Sequence, residues 1–274
     1  MAKNIETTTP TVSVVMSVFN CEKYIAEAIE SILDQTFTDF EFIIIDDGST
    51  DGTLKIIEEY GDPRIVLISR ENKGLVASLN EGISVARGKY IARMDGDDIS
   101  DVTRLAMQHG FMKDNDDCAL VGSCIRLIDG RGEYTGIWPT DADTLSRDDI
   151  RSALPIENCM AHPTFFARRE VLQRYHYDHS QVAGEDYDLL LRMLADGLYI
   201  GKTPLTLLSY RVHRESITQP SNRNSAFKKV AKLKLRFTLK RLLRLKFGVV
   251  EQRVVRSLLG TTKRYIREKL VGTV

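Results

Sequence analysis

Short apolar runs alternate with segments of helical periodicity over the first hundred residues. The apolar runs are rich in β-branched residues and end at polar residues or glycine, which is typical of buried strands. Between them, apolar positions recur every three or four residues, as in helices that cover a sheet. The predicted strands are 11–18, 40–46, 64–68 and 90–94, and the predicted helices are 22–35, 51–60 and 74–85. This alternation predicts a parallel βαβ layout with right-handed crossovers.

The pattern changes after residue 98 and predicts a mixed sheet with inserted helices. The predicted helices are 101–113 and 184–195, and the predicted strands are 118–123, 164–167 and 205–212. Polar residues and a proline near 215–224 predict a linker, and two helices follow at 224–246 and 249–269. We therefore expect one α/β domain with a mixed, mainly parallel central sheet flanked by helices. Its parts are a first half (1–100), a second half (101–219) and a helical extension (220–274).

The zero net charge of the chain conceals a strong asymmetry. Residues 220–274 hold 16 Lys or Arg and two acids, which leaves 22 Lys or Arg and 36 acids in the first 219 residues. The body thus carries a formal charge of −14 and the extension +14. Leucines interleave with these cations, so the extension fits amphipathic helices that pack on the body with their cations in water. It equally fits attachment of residues 224–270 to an anionic membrane surface.

The basic extension is also compatible with protein partners. The basic surface would also suit a helical partner or a second copy of this chain, which would make a homo-oligomer. No nucleic-acid reader motif accompanies the charge, so we expect no nucleic-acid partner.

Cysteine usage and hydropathy predict the compartment. The four cysteines have neither metal-site spacing nor the spacing of a disulfide framework, which is typical of reduced thiols in the cytoplasm. The N-terminal residues lack the apolar core of a signal peptide, and no window of about 18 residues is apolar and uncharged. We expect a cytoplasmic protein, peripheral on the inner face of the cell membrane if its extension binds lipid.

Two predicted strands end in clusters of carboxylates. Residues 42–45 lead into Asp46-Asp47-Gly48-Ser49, and residues 90–94 lead into Asp95-Gly96-Asp97-Asp98. Because ligands of open α/β sheets bind beyond the carboxyl ends of the strands, we expect both clusters at one polar pocket. Oxygen ligands at this spacing favour Mg²⁺ or Mn²⁺ over zinc, together with a phosphorylated ligand.

Each cluster also has a simpler interpretation. Residues 46–52 fit a tight turn, or a calcium loop, although an EF-hand requires a helix before its loop. The residues at calcium-loop positions are Asp47, Ser49, Asp51, Gly52 and Glu58. In the second cluster, Asp98 or Ser100 could cap the following helix. Capping leaves the other acids unexplained, and like charges repel one another unless a cation lies between them.

Three further sites carry groups of chemical interest. Asn72-Lys73-Gly74 precedes a predicted helix, whose N-terminus could receive phosphate, but the segment equally fits a plain loop. Asp186 opens another predicted helix, where an acid either stabilises the helix N-terminus or serves as a general base. Single histidines such as His162 and His213 are more often structural than functional. His213 stands beside two arginines, Arg211 and Arg214, which would suit a diphosphate.

In their order along residues 11–216, these motifs resemble the inverting glycosyltransferases of family 2. The matching segments are Val12-Ser13-Val14-Val15, Phe19-Asn20, Tyr24-Ile25, 31–36, 42–51, 72–74, 88–91, 95–98 and 184–186. The resemblance implies the glycosyltransferase A fold, with nucleotide-sugar binding in residues 1–100 and acceptor binding and catalysis in residues 101–219. The extension 220–274 lies outside it.

The resemblance also implies roles for individual residues. Asp186 matches the catalytic base, and Asp47 the residue that binds the nucleobase edge, usually uracil. Asp95 and Asp97 match the DxD pair, with Asp97 the more direct metal ligand, and His213 would help to hold the metal or the diphosphate. The other donor-side residues are Phe19, Asn20, Asn72 and Gly74, and the acceptor-side residues are His162 and Glu185.

The implied activity is metal-dependent sugar transfer with inversion, from a UDP-sugar to a hydroxyl of a glycan or lipid-linked glycan in cell-surface polysaccharide synthesis. Mn²⁺ or Mg²⁺ would neutralise the leaving diphosphate while Asp186 takes the acceptor proton. One alternative is a nucleotidyltransferase that makes sugar nucleotides, but its Gly-rich signature is missing after the first strand, where residues 19–22 stand. The other is a non-catalytic sugar-binding module, against which the intact carboxylates argue.

Overall fold

The first half of the chain forms four parallel strands separated by helices. The computed structural model describes residues 9–181, 184–213, 223–243, 246 and 248–271, and these elements lie close to their predicted positions. The strands are β1 (Val12–Val18), β2 (Phe40–Asp46), β3 (Ile65–Ser69) and β4 (Tyr90–Asp95), and the helices are α1 (Ile25–Leu33), α2 (Thr53–Glu58) and α3 (Leu75–Val85). Strands β1, β2 and β4 are buried on both faces, because helices cover both sides of the parallel sheet.

The second half contains more elements than the sequence pattern predicts. Its helices are α4 (Arg104–Asp114), α5 (Arg147–Ala153), α6 (Arg169–Tyr175) and α7 (Glu185–Ala195), with 3₁₀ turns at 139–142 and 162–164. Its strands are β5 (Ile99–Ser100), β6 (Cys118–Asp129), β7 (Tyr134–Ile137), β8 (Phe166–Arg168) and β9 (Tyr199–Val212). The predicted strands 118–123 and 205–212 are parts of the longer β6 and β9. Helices α5 and α6 are not predicted from the sequence, because about two turns give only a weak periodic signal.

Within the described part of the chain the strands form one mixed sheet, as expected. Its order is β3-β2-β1-β4-β8-β6-β9-β5, with β7 paired to β6. The pairs among β1 to β4 are parallel, β8 is antiparallel to β4 and β6, and β6 runs parallel to β9. In this register Val18 lies beside Asp46 and Ser17 beside Asp95. The two acidic strand ends therefore flank β1 at one edge of the sheet.

Two helices of the basic extension complete the structure. They are α8 (Arg223–Leu243) and α9 (Val249–Val271), as predicted, whereas most of the predicted linker lies outside the described residues. Leu233, Phe237 and Val254 are buried in the apolar layer that also contains α7 residues. The extension thus shares the core of the α/β body. Among the described residues, no helix combines the length and the apolarity needed to cross a membrane.

Candidate active site

The acidic cluster after β4 is arranged as a set of possible cation ligands. Carboxylate oxygens of Asp95, Asp97 and Asp98 lie within 4.8 Å of one another. Asp98 is buried, and its Oδ2 has no hydrogen-bond partner within the described structure, while Oδ1 accepts from the backbone N–H of Arg211 at 2.8 Å. A buried oxygen without a donor beside two other carboxylates fits a hard divalent cation.

Gly96 brings this loop against the first strand. A Cβ atom at Gly96 would lie 2.6 Å from Cγ1 of Val18, so a larger residue would push the acids away from β1. The helix-cap alternative is wrong for both residues that we considered. Helix α4 begins at Arg104, and the carboxylate that accepts from the backbone at its start belongs to Asp101.

Burial and mutual repulsion make the cluster unfavourable without a cation. Burial raises the pKa of Asp95 to about 6, Arg93 opposes that shift, and the charges of Asp97 and Asp186 add to it. Burial also raises the pKa of Asp98 well above its usual value, and Asp95 and Asp97 reinforce the effect. A bound cation would reverse both effects, because it favours the ionised carboxylates.

His213 joins this cluster from the end of β9. Its Nε2 lies 3.0 Å from Oδ2 of Asp97, and its ring lies 4.9 Å from the ring of Tyr24. Arg211 links the 95–98 loop to helix α1, since it donates to the backbone oxygen of Asp97 at 2.7 Å and pairs with Glu27. The guanidinium of Arg211 is thus engaged within the protein, and the diphosphate contact suggested for this segment stays a prediction. Arg214 lies outside the described residues.

Asp47 forms a second charged centre, after β2. Its oxygens accept from the backbone N–H groups of Lys73 at 2.8 Å and Gly74 at 2.9 Å, and it pairs with Arg70. Although burial opposes the shift, these donors lower the pKa of Asp47. The N–H of Gly74 thus points at a protein carboxylate, whereas Asn72 is exposed. The base-binding role of Asp47 and the phosphate-binding role of the 72–74 loop stay predictions.

The loop after β1 lies against the loop after β2. Asn20, in the left-handed region at φ 55°, donates from its backbone to Ser49 and accepts from the backbone of Thr50 at 2.8 Å. Phe19 beside it is 47% exposed, so part of its aromatic side chain is accessible to solvent at this end of the sheet. The calcium-loop alternative is wrong, because a strand, β2, leads into this loop where an EF-hand has a helix. In addition, Oδ1 of Asp51 accepts a hydrogen bond from the backbone N–H of Thr53 at the start of α2.

Asp186 lies in the first turn of α7. Its Oδ2 accepts a hydrogen bond from Nδ2 of Asn158 at 2.7 Å. Burial raises the pKa of Asp186, while the backbone N–H of Tyr187, Asn158 and Arg93 oppose the shift. Burial and the charge of Asp186 likewise raise the pKa of Glu185. A carboxylate with a raised pKa, close to other polar groups, has the character of a general base.

His162 lies beside this pair as a neutral imidazole. Its Nε2 is 2.7 Å from the hydroxyl of Tyr177, and its Nδ1 is 3.9 Å from Glu185. Burial and the charge of Arg93 hold the pKa of His162 well below its usual value. The side-chain amide of Asn80 donates to the backbone oxygen of Tyr177 and accepts from its backbone N–H, both over 2.9 Å. The imidazole is thus held in place and uncharged at neutral pH.

Comparison with known proteins identifies the chain. The sequence profile described as "Glycosyl transferase family 2" matches residues 13–175. The chain belongs to glycosyltransferase family 2. The glycosyltransferase is 36% identical over 235 residues to the O-antigen biosynthesis glycosyltransferase WbnJ of Escherichia coli, a match that covers 84% of this chain and 89% of the relative. The prediction of an enzyme of this family is confirmed, and neither alternative class is supported.

A second relative and a solved structure extend the comparison. The Escherichia coli protein named UDP-Glc:alpha-D-GlcNAc-diphosphoundecaprenol beta-1,3-glucosyltransferase WfaP is 30% identical over 209 residues, covering 76% of this chain and 79% of WfaP. The crystal structure of S. aureus TarS residues 1–349 in complex with UDP-GlcNAc matches with a TM-score of 0.70 and 19% identity, over 94% of this chain and 73% of that one. At this identity the match supports the fold, and the predicted glycosyltransferase A architecture is confirmed.

Sequence analysis of this glycosyltransferase missed the cation at the centre of its site. Arg93 is buried in β4 and pairs with Asp95, and its Nε has no hydrogen-bond partner in the described structure. Its charge also affects the pKa values of Asp98, Asp186, Glu185 and His162. A signal was present, since an arginine inside an apolar strand must be paired when it is buried. Asn158 gave no comparable signal in its loop.

Proposed function

We propose that this enzyme is a metal-dependent inverting glycosyltransferase that moves a sugar from a UDP-sugar to a hydroxyl of a glycan or lipid-linked glycan. One observation carries the proposal. Carboxylate oxygens of Asp95, Asp97 and Asp98 lie within 4.8 Å of one another, and the buried Oδ2 of Asp98 has no hydrogen-bond partner in the described structure, an arrangement that fits a divalent cation. The relatives WbnJ and WfaP support a role in cell-surface polysaccharide synthesis, and WfaP and the TarS complex support a UDP-sugar donor.

The proposed donor site lies at the ends of the parallel strands, within residues 1–100. Asp47 and the 72–74 loop would receive the nucleobase, with Phe19 and Asn20 at its open edge. The exposed ring of Phe19 supports this assignment, because aromatic faces stack well on bases. Asp47 is held by three donors, of which only Gly74 donates to Oδ2, so this oxygen keeps the capacity to accept a uracil N–H.

The proposed metal site comprises Asp95, Asp97 and His213, to which the structure adds Asp98. These side chains are hard oxygen donors and one imidazole, a set that fits Mn²⁺ or Mg²⁺. When bound, the cation would stabilise the negative charge of the departing diphosphate. Arg93 would add a second positive charge beside it, since its Nε is a free donor in the described structure.

The proposed base is Asp186, within the acceptor half (101–219). Asn158 fixes one carboxylate oxygen, so the group has a defined orientation towards an incoming hydroxyl. The carboxylate removes the hydroxyl proton as the oxygen attacks the anomeric carbon opposite the leaving diphosphate, which inverts that centre. Glu185 and neutral His162 flank it and would contact the acceptor. The free cysteines support a cytoplasmic location, in which nucleotide sugars are available.

A panel of nucleotide sugars tests the proposal. The enzyme is incubated with each sugar nucleotide, Mn²⁺ and a lipid-diphosphate glycan acceptor, and release of nucleoside diphosphate is measured. We expect release from a UDP-sugar and a product of inverted anomeric configuration. Asp186→Asn preserves size and should keep donor binding while transfer falls by roughly 10²-fold or more. Near-normal transfer by this variant, or a product with retained configuration, would overturn the mechanism.

A further inference from the structure

Helix α8 has an inner face that is fully used by the fold. Leu233 and Phe237 are buried in the core beside α7. The contact is close, since a Cβ atom at Gly184 would lie 2.7 Å from Cδ1 of Leu233. This face holds α8 on the body.

The cations on the inner side of α8 are also satisfied. Lys234 donates to the backbone oxygen of Ile156 at 2.6 Å and to Ser257 at 2.8 Å. Arg241 pairs with Asp196 at 2.5 Å and with Glu251 at 2.6 Å. These charges are part of the protein's internal electrostatics and do not explain the positive charge that remains on the other side.

The outer face of α8 is both apolar and basic. Leu235, Leu239, Leu242 and Leu243 follow the spacing of one helix face, and all four are exposed. Lys228 and Lys232 are exposed on the preceding turns. Residues 223–243 contain eight Lys or Arg and no acid. The wider segment 216–250 also contains no Asp or Glu. An exposed leucine row flanked by cations, with no acid to repel an anionic surface, is typical of helices that lie in a membrane interface.

We propose that the outer face of α8, defined by Lys228, Lys232, Leu235, Leu239 and Leu242, docks on an anionic lipid surface. The leucines enter the boundary between head groups and acyl chains, and the lysines contact the head groups. A two-fold pairing of this face with a second copy is disfavoured, because it would place four lysines in one interface to which α8 brings no acid.

Docking would place the acceptor side of the site near the membrane. The inner face of α8 packs on α7, whose first turn carries Asp186, and packed helices lie about 8–10 Å apart. A glycan attached to a membrane lipid would therefore have to extend only a short distance from the membrane surface to Asp186. This consequence rests on the proposed function, whereas lipid binding itself does not.

Vesicle co-sedimentation of the full-length protein tests the inference. We expect binding to vesicles of phosphatidylcholine with 30% phosphatidylglycerol at low salt, release at high salt, and little binding to pure phosphatidylcholine. Leu235→Ser/Leu239→Ser should lower the partition coefficient by roughly 10-fold or more. Lys228→Glu/Lys232→Glu should lower it as strongly and weaken the salt dependence. Substitutions keep the chain whole, because removal of α8 would uncover the core.

Matched variants separate this face from general surface effects. Val85→Ser/Leu205→Ser removes two apolar side chains that are 42% and 46% exposed, close to the 51% and 49% of Leu235 and Leu239. Lys55→Glu/Lys113→Glu reverses two exposed lysines elsewhere on the body. Both controls should bind vesicles within about twofold of the native protein. Equal losses in controls and test variants would overturn the inference.

Two further measurements separate lipid docking from self-association through the same face, and from the proposed sugar transfer. If light scattering shows a dimer that Leu235→Ser/Leu239→Ser dissociates, while no protein binds anionic vesicles, the face is an interface between copies and the inference fails. Release of UDP from the donor is measured on the same proteins with a soluble acceptor. Loss of vesicle binding with intact UDP release supports docking as a separate property. Absence of both in the native protein would refute lipid docking and the proposed function independently.

Discussion

Nδ2 of Asn158 donates a hydrogen bond to Oδ2 of Asp186 over 2.7 Å. Asn158 lies in the loop between α5 and the 3₁₀ turn at 162–164, whereas Asp186 lies 28 residues later in α7. The bond orients the carboxylate and opposes the rise in its pKa that burial causes. The proposed base is therefore tuned by a side chain from another part of the chain.

Asn158→Ala should shift the pH dependence of transfer. Without the amide donor the pKa of Asp186 rises further, because the ionised form loses a hydrogen bond. The base works as a carboxylate, so a smaller fraction is active at any given acidic pH. The acidic limb of the kcat/KM profile should move to higher pH. Asn115→Ala, which removes an amide bonded to Phe111 on α4, serves as the control. Superimposable profiles for Asn158→Ala and the native enzyme would show that the limb does not report Asp186.

Replacement of Arg93 should disturb every acid in the site. Arg93→Met leaves the buried carboxylates without their cation, which typically costs about 3–5 kcal/mol of folding free energy. We expect transfer to fall by roughly 10²-fold, and Mn²⁺ to raise the Tm of this variant more than that of the native enzyme. Thermal unfolding with and without Mn²⁺ gives the comparison. Arg87→Met, whose guanidinium pairs with Glu41 away from the site, should show the native response to Mn²⁺.

Asp97→Ala should abolish metal dependence together with activity. Loss of a ligand that bridges the cluster and His213 should cut turnover by about 10²-fold or more at saturating donor. EDTA should inactivate the native enzyme, and added Mn²⁺ should restore it. The exposed Asp114→Ala variant on α4 controls for loss of an acidic charge. Full activity of the native enzyme in EDTA would exclude the metal site that we propose.

Asp47→Ala should weaken nucleotide recognition. The variant loses the acceptor for Arg70 and for the N–H groups of Lys73 and Gly74, so the 72–74 loop loses its anchor. Isothermal titration with Mn²⁺ should show native binding of UDP over ADP, and a drop in UDP affinity of about tenfold in the variant. Asp62→Ala, which removes a local pair with Arg64, is the control. Equal native affinities for UDP and ADP would reject the uracil assignment.

Two neighbouring leucines of α8 should differ sharply in their effect on stability. Leu233 is buried against α7, so Leu233→Ala should lower the free energy of unfolding by about 2–5 kcal/mol. Leu235, two residues later, is exposed, and Leu235→Ala should change it by about 0.5 kcal/mol or less. Urea denaturation measures both. Similar values would mean that α8 is not part of the folding unit.

The sequence by itself determined the parallel half of the fold and the location of its acids. Both follow from local properties, because the spacing of apolar residues and the polar residues that end each strand can be read from neighbouring positions in the sequence. A parallel register then brings strand ends to one edge, so the loop after β2 and the loop after β4 had to meet near β1. The resemblance between motifs added the expected roles of Asp47, Asp97 and Asp186, which remain predictions.

Only the tertiary structure decided which groups support those acids. Asn158 and Arg211 contact residues far along the chain, and no local pattern encodes such pairs. Arg93 pairs with Asp95 two residues away, but only the fold shows that it is buried. The structure likewise decided the two faces of α8, since charge and leucine content are compatible with packing and with lipid binding alike. Burial assigns Leu233 to the core and leaves Leu235 in solvent, which establishes the packing of the inner face, while lipid binding by the outer face is our proposal. Long-range packing sets burial, and burial sets both the pKa values of the site and the surface available to a membrane.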